Sequence, residues 1–321
     1  MPALDSTRET AVMPSRVVAR LRCPVCQDPL AEVVTGGSRA LRCPRRHSFD
    51  IARQGYVNLL TGRAPHSGDT AEMVSARADF LSAGHYDVIS AALADAADTA
   101  LAADTALAAD TALAAADPTA PGAHPLVVDA GAGTGRHLAA VLAAVPAAVG
   151  LALDISKPAL RRAARAHPRV TAALADTWQR LPLADASTAL LLNVFAPRNG
   201  AEFRRVLAPG GRLLVVTPAA DHLTELVAAL GLLRVDPAKA DRVAASLTGH
   251  FTEESTTVHR QELTLSGPEV ATLVGMGPSA WHTDPAGLAA RVETLGEPVR
   301  VTVAVRLGTY RLQGASPGDP A

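Results

Sequence analysis

The chain has 321 residues, 48% hydrophobic and 3% aromatic, with 30 lysines and arginines against 31 carboxylates and a net charge of -1. That length accommodates one large domain plus a small one, and the near-neutral balance excludes nucleic-acid binding driven by overall charge. No stretch of about 18 uncharged apolar residues occurs, and the first residues lack an apolar signal core. The sequence therefore predicts a cytoplasmic protein with no membrane partner.

Residues 1–15 read as a disordered leader, and the first element is a zinc-binding module over 16–64. Its three cysteines are the only ones in the chain: Cys23 and Cys26 in C-P-V-C, then Cys43 followed by His47 in C-P-R-R-H. Two short knuckles of this kind supply the four tetrahedral N/S ligands that zinc prefers. With all four positions filled by protein, none is open to water, so the zinc is read as structural. Between Ser15 and Arg63 nine arginines face three carboxylates, a net +6 that suits phosphate contacts. A merely solvated arginine face is the alternative.

A helical connection follows over 65–90, with Asp69 or Thr70 as N-cap of a helix running toward Gly84. Residues 91–125 read as an alanine-rich, low-complexity linker in which Asp-Thr-Ala-Leu recurs every six residues, at 98, 104 and 110. Six residues turn a helix by about 600°, so Leu101, Leu107 and Leu113 point in different directions and the repeat builds no apolar stripe. Pro118, Pro121 and Pro125 end it.

From 126 to 312 the pattern changes to an α/β domain, followed by a disordered tail at 313–321. Strands are expected near 126–129, 151–154, 170–174, 189–193 and 212–217, with helices at 136–145, 157–167, 201–207 and 221–230. Apolar strands alternating with helices argue for a parallel sheet covered on both faces. Later extended segments, 257–265 and 299–311, flank a helical stretch at 268–295 and would complete one edge.

The first strand runs into Asp129-Ala-Gly131-Ala-Gly133-Thr134-Gly135-Arg136-His137. Glycines at 131, 133 and 135 permit a tight turn and close approach to a ligand. A dinucleotide turn would want a small residue at 136, where arginine stands, so the turn suits S-adenosylmethionine, which has no pyrophosphate. Asp154 ends the next strand, where a carboxylate can accept both ribose hydroxyls, and Asp176 ends the third, near the adenine. Either aspartate has a helix-capping alternative. The fourth strand ends in Asn193-Val-Phe195-Ala-Pro-Arg-Asn199, at the carboxyl edge where open α/β sheets place substrates.

The zinc knuckles, R-Q-G-Y-V-N-L-L at 53–60, G-D-T-A-E-M at 68–73, A-R-A-D-F-L-S-A-G-H-Y at 76–86 and the glycine turn occur in this order. The combination resembles the bacterial 23S rRNA (guanine-N1)-methyltransferases of the RlmA family. N-V-F-A-P-R-N at 193–199, D-H-L-T-E-L at 221–226 and G-P-S-A-W-H at 277–282 look most like its tylosin-resistance branch. The resemblance spans about residues 17–312, apart from the alanine-rich tract. It implies a Rossmann-like class I methyltransferase sheet and methyl transfer from S-adenosylmethionine to N1 of a guanine. The implied target is a domain II hairpin loop of 23S rRNA, at the exit tunnel where macrolides bind. It also implies a homodimer, zinc on Cys23, Cys26, Cys43 and His47, and cofactor contacts from Asp129–Gly135 and Asp154.

Guanine N1 must lose a proton, and no carboxylate lies in 193–199 to take it. Asn193 is expected to orient the guanine edge and to touch the cofactor, as is His137; Phe195 and Trp281 are candidate stacking platforms, although Trp281 has a core alternative. Two rival classes remain: a small-molecule methyltransferase of antibiotic tailoring, which has no evident need of a basic zinc module, and a non-enzymatic zinc-dependent rRNA-binding protein.

Overall fold

A computed structural model describes residues 13–62, 68–111, 124–232, 239–277 and 285–314. The chain opens with α1 (Ser15–Val18) and a small antiparallel sheet of β1 (Ala31–Thr35), β2 (Ser38–Arg42) and β3 (Ser48–Asp50). Gly36 and Gly37, at φ 56° and 80°, make the two-residue hairpin between β1 and β2, where both positions need left-handed backbone. Next come β4 (Tyr56–Asn58), α2 (Ala71–Ser82) and the long α3 (Asp87–Thr111). Of the two N-cap candidates, Thr70 caps α2: its hydroxyl accepts from the Met73 N–H.

The sheet region continues with β5 (Leu126–Ala130), α4 (Arg136–Ala144), β6 (Val149–Asp154), α5 (Lys157–Ala163), β7 (Val170–Leu174) and β8 (Thr188–Val194). It ends with α6 (Gly200–Val206), β9 (Leu207–Pro218), α7 (Thr224–Leu230), α8 (Lys239–Leu247), β10 (Phe251–Leu265), α9 (Gly267–Gly275), α10 (Pro285–Glu293) and β11 (Val299–Leu312). One eight-stranded sheet has the order β10-β11-β9-β8-β5-β6-β7-β4. β4 to β9 pair in parallel, and β11 and β10 close one edge antiparallel, as expected. β5, β6 and β7 step one way and β8 and β9 the other, so the order reverses beside β5, where such sheets open a ligand crevice. The arrangement is the expected Rossmann-like class I methyltransferase sheet. β5 and β7 are buried along their whole length, which is why they read as mostly apolar runs, broken only by Asp129 and Thr171.

Three expectations are corrected. The tract beginning at 91 is not a linker from its start: α3 carries Ile89, Leu93, Ala97 and Leu101 in the core, each 5% exposed or less. These residues are four apart and so share one face; the six-residue repeat hides that stripe, of which only Leu101 is a repeat leucine. Residues 112–123 lie outside the described residues. Second, the zinc-binding region is not detachable at 64, because β4 is the eighth strand of the main sheet, pairing Tyr56–Asn58 with Ala172–Leu174. Met13, Val17, Val18 and Leu21 share a core with Leu151, Leu153 and Leu183, so the ordered chain also begins before residue 16. Third, the helical stretch at 268–295 is two helices, α9 and α10.

Candidate cofactor and zinc sites

The zinc ligands converge at the border of a hydrophobic core that includes Cys23 and Cys43. The Cys26 and Cys43 sulfurs are 3.6 Å apart, and His47 Nδ1 is 3.5 Å from the Cys23 sulfur and 3.4 Å from that of Cys43. All four donor atoms lie within 4.8 Å of one another. A tetrahedron with ordinary Zn–S and Zn–N bonds has edges of roughly 3.5 to 3.8 Å, so the donor set fits zinc through Nδ1 of His47. Each knuckle turns through a non-glycine residue in left-handed backbone, Gln27 at φ 65° and Arg46 at φ 67°. Such strain persists where surrounding bonds fix it; the Gln27 N–H donates to the Cys23 carbonyl and the Arg46 N–H to that of Cys43.

The basic excess is only partly surface. Arg20 is buried and donates to the His124 carbonyl at 2.6 Å, and Arg39 pairs with Glu32. Arg42, Arg45, Arg46 and Arg53 remain exposed; Arg63 lies outside the described residues. The module packs over one face of the sheet, sharing a core with Leu151 and Leu153, and meets the loop that leaves the carboxyl edge after β7: the Arg22 N–H donates to the Pro182 carbonyl, and the Arg180 side chain reaches Gln27 at 3.0 Å.

At that edge the glycine turn leaves β5. Gly131, Gly133 and Gly135 have φ of 87°, 53° and 78°, and the N–H groups of Gly131 and Ala132 both donate to the Leu153 carbonyl. Thr134 is buried within the turn. A Cβ on Gly131 would stand 2.4 Å from the Ala196 Cβ, and one on Gly135 3.0 Å from the Ala163 Cα. The turn therefore needs glycine for space as well as conformation.

Asp154 braces the turn: one carboxylate oxygen accepts from the Gly133 N–H at 2.8 Å and the other from the Ser156 N–H at 2.7 Å. The cap of α5 is Ser156 itself, so the capping alternative for Asp154 falls away. A carboxylate has about four acceptor sites, so two remain for a ribose diol. Burial pushes the Asp154 pKa up against these two donors. Asp176 is buried; one oxygen accepts from the Trp178 N–H, and Oδ2 has no hydrogen-bond partner. A buried acceptor without a donor is costly, and an exocyclic amine such as that of adenine would satisfy it. Asp129 likewise has an unpartnered buried oxygen, and burial together with the Asp154 charge pushes its pKa up to about 7. The orphaned acceptors and the glycine cradle fit S-adenosylmethionine.

Two expected contacts have partners within the protein. Asn193 is fully buried, and its amide donates to the carbonyls of Ala130 and Pro197 at 3.1 and 2.8 Å. Both amide hydrogens are spent on tying the end of β5 to the loop after β8, so Asn193 positions that loop beside the glycine turn. His137 meets the Ser90 hydroxyl of α3 at 3.0 Å, and burial, aided by Arg136 and Arg77, lowers its pKa to about 4. It is a neutral link between helices, not a charged cofactor ligand. Phe195, 41% exposed and in left-handed backbone at φ 53°, does stand at the mouth. Trp281 lies outside the described residues.

Sequence reasoning missed Arg77, Tyr86 and His222, which it had used only as family motifs, and Asp69, which it had used as a motif residue and a helix-cap candidate. Gly68 packs against the Ser156 backbone, and Ser156 Oγ donates to the Asp69 carbonyl, which lays this segment over the end of β6. Tyr86 and His222 approach Phe195 with ring centroids 6.4 and 6.1 Å away. Because His222 Nδ1 accepts from the Ala304 N–H, its proton sits on Nε2, facing the Tyr86 hydroxyl at 3.5 Å.

A family model described as RlmA, N-terminal, a zinc ribbon, matches residues 21–67, and one described as a methyltransferase domain matches residues 127–211. An assigned 23S rRNA (guanine-N1)-methyltransferase of Micromonospora griseorubida is 67% identical over 92% of this chain and 98% of its own length. The 23S rRNA (guanine(748)-N1)-methyltransferase of Streptomyces fradiae is 48% identical over 93% and 99%. The chain belongs to the 23S rRNA (guanine-N1)-methyltransferase family. A Bacillus subtilis relative assigned the same activity, YxjB, is 32% identical over 64% of this chain and 66% of its own. Membership accounts for the pairing of a closed metal site with a methyltransferase sheet, and the cofactors are S-adenosylmethionine and structural zinc. Among the described residues no helix is long and apolar enough to cross a membrane.

Proposed function

We propose that this chain transfers the methyl group of S-adenosylmethionine to N1 of a guanine in 23S rRNA. The target is a domain II hairpin loop at the peptide exit tunnel, and the modification counters tylosin-type macrolides. The enzyme works in the cytoplasm as a homodimer. The observation that carries the reading is an arginine-bearing zinc module packed into one core with the sheet that holds the glycine turn. A small-molecule methyltransferase has no use for that module, and a pure RNA binder has none for orphaned acceptors around the turn.

The cofactor supplies an electrophilic methyl on a sulfonium. The protein would hold N1 in line with that methyl, and alignment alone removes several kcal/mol of barrier; the N1 proton leaves to water, and S-adenosylhomocysteine is released. Asp154 and Asp176 anchor the adenosine end, and Asp129, Gly131, Gly133, Thr134 and Gly135 cradle the rest. N1 is engaged in paired RNA, so the guanine enters unstacked; Phe195 gives it a ring to lie on. Arg42, Arg46 and Arg53, with the groove lined by Arg22, Gln27, Arg180 and Asp185, meet the backbone of the hairpin.

Primer extension on 23S rRNA from cells with and without the protein tests this. Methylation at N1 blocks Watson–Crick pairing, so reverse transcriptase stops at one domain II guanine only when the protein is present. Identical profiles from the two strains would refute the proposal.

A further inference from the structure

Arg77 lies where the methionine half of the cofactor must go. Its guanidinium pairs with Asp69 and donates to the Met276 carbonyl at 2.7 Å, and a Cβ on Gly133 would come within 3.5 Å of its Nη1. Three separate segments thus hold a cation over the glycine turn: the Asp69 loop, α2 and the end of α9. Its charge also reaches Tyr86, His137 and Asp154, which places it in the middle of the site. Two of its five N–H groups are committed to these bonds, and a guanidinium fork is built to take a carboxylate with the rest. The two other arginines near the turn are engaged elsewhere. Arg136 is exposed and pairs with Asp87, and Arg198 is turned to the Asn193 side chain and the Ala196 carbonyl.

We infer that Arg77 is the residue that binds the α-carboxylate of the cofactor's methionine moiety, with Asp69 and the Met276 carbonyl orienting its guanidinium. The inference rests on the cofactor reading above: Asp154 and Asp176 claim the adenosine end at β6 and β7, which leaves the amino-acid end on the β5 turn beneath Arg77. Asp69 is then a positioning residue, and the G-D-T-A-E-M and A-R-A-D-F-L motifs belong to the cofactor site.

Calorimetric titration of the full chain with S-adenosylhomocysteine and with decarboxylated S-adenosylmethionine, for wild type, Arg77→Gln and Arg77→Lys, tests it. Arg77→Gln is expected to weaken S-adenosylhomocysteine about 10- to 100-fold and the decarboxylated ligand less than about threefold, with Arg77→Lys in between for the first ligand. A loss of both ligands to the same degree, or of neither, overturns the assignment; equal loss that Arg77→Lys fully restores also overturns it, because the charge then serves the fold. Failure of the wild-type protein to bind S-adenosylhomocysteine would instead remove the cofactor reading on which the inference stands.

Discussion

Gly131→Ala should damage this protein twice over, and the two costs are separable. At φ 87° any residue with a Cβ pays for left-handed backbone, about 1 to 2 kcal/mol. The new methyl group would also stand 2.4 Å from the Ala196 Cβ, far inside contact distance, and overpacking of this kind costs about 1 to 3 kcal/mol. Together they give roughly 2 to 5 kcal/mol. Gly249, at φ 78° with nothing among the described residues within 4 Å, carries only the backbone term. Urea unfolding should therefore place Gly131→Ala at least about 1 kcal/mol below Gly249→Ala. The collision also pushes the turn away from the loop after β8, so S-adenosylhomocysteine affinity should fall about tenfold or more, while Gly249→Ala binds normally. Adding Ala196→Gly to Gly131→Ala should recover most of the collision and none of the backbone term. Equal unfolding midpoints and unchanged cofactor affinity for the two single variants would refute the close approach of the two loops.

Asp129 makes the protein pH-sensitive in a definite direction. Its pKa, about 7 when folded against the ordinary 3.8, means that the native state holds a proton the unfolded chain releases, so its contribution to stability is lost as pH rises from about 4 to about 7. The cationic cofactor prefers the ionised form, so S-adenosylmethionine affinity should rise by up to about tenfold per pH unit below 7 and then level off; Asp129→Asn should flatten this profile, and an unaltered slope in calorimetry counts against the idea. Cys23→Ser should lose zinc and, because Cys23 is packed in the same core as the sheet residues Leu151 and Leu183, lower the unfolding temperature of the whole chain; full zinc content by elemental analysis would remove Cys23 from the ligand set. Asn193→Ala strips the buried Ala130 carbonyl and the more exposed Pro197 carbonyl of their donor and should cost about 1 to 3 kcal/mol, with methyl transfer falling more than cofactor affinity; a variant as stable and active as wild type would refute this bracing role.

The zinc ligands, the glycine turn and the strand positions were legible because each rests on local spacing: two knuckles, a turn at fixed offsets, apolar runs of strand length. Three kinds of feature were not. α3 was hidden because its core stripe, Ile89, Leu93, Ala97 and Leu101, only partly overlaps a repeat whose own period points nowhere. The bracing role of Asn193 was hidden because a polar side chain at a substrate edge looks the same in sequence whether its amide faces a ligand or two backbone carbonyls. Arg77, Tyr86 and His222 come to the site from segments far apart in the chain; no spacing rule links 77 to 133 or 86 to 222, and only the folded topology brings them together.

β4 has a consequence for how such an enzyme is built and inherited. Its parallel partner β7 is translated more than a hundred residues later, so the nascent metal-binding head holds an unmatched strand until the far half of the chain emerges. Exchanging this head for another would strip the sheet of its border and bare the backbone of β7. The metal-binding head and the sheet that carries the glycine turn are thus joined through a shared border strand.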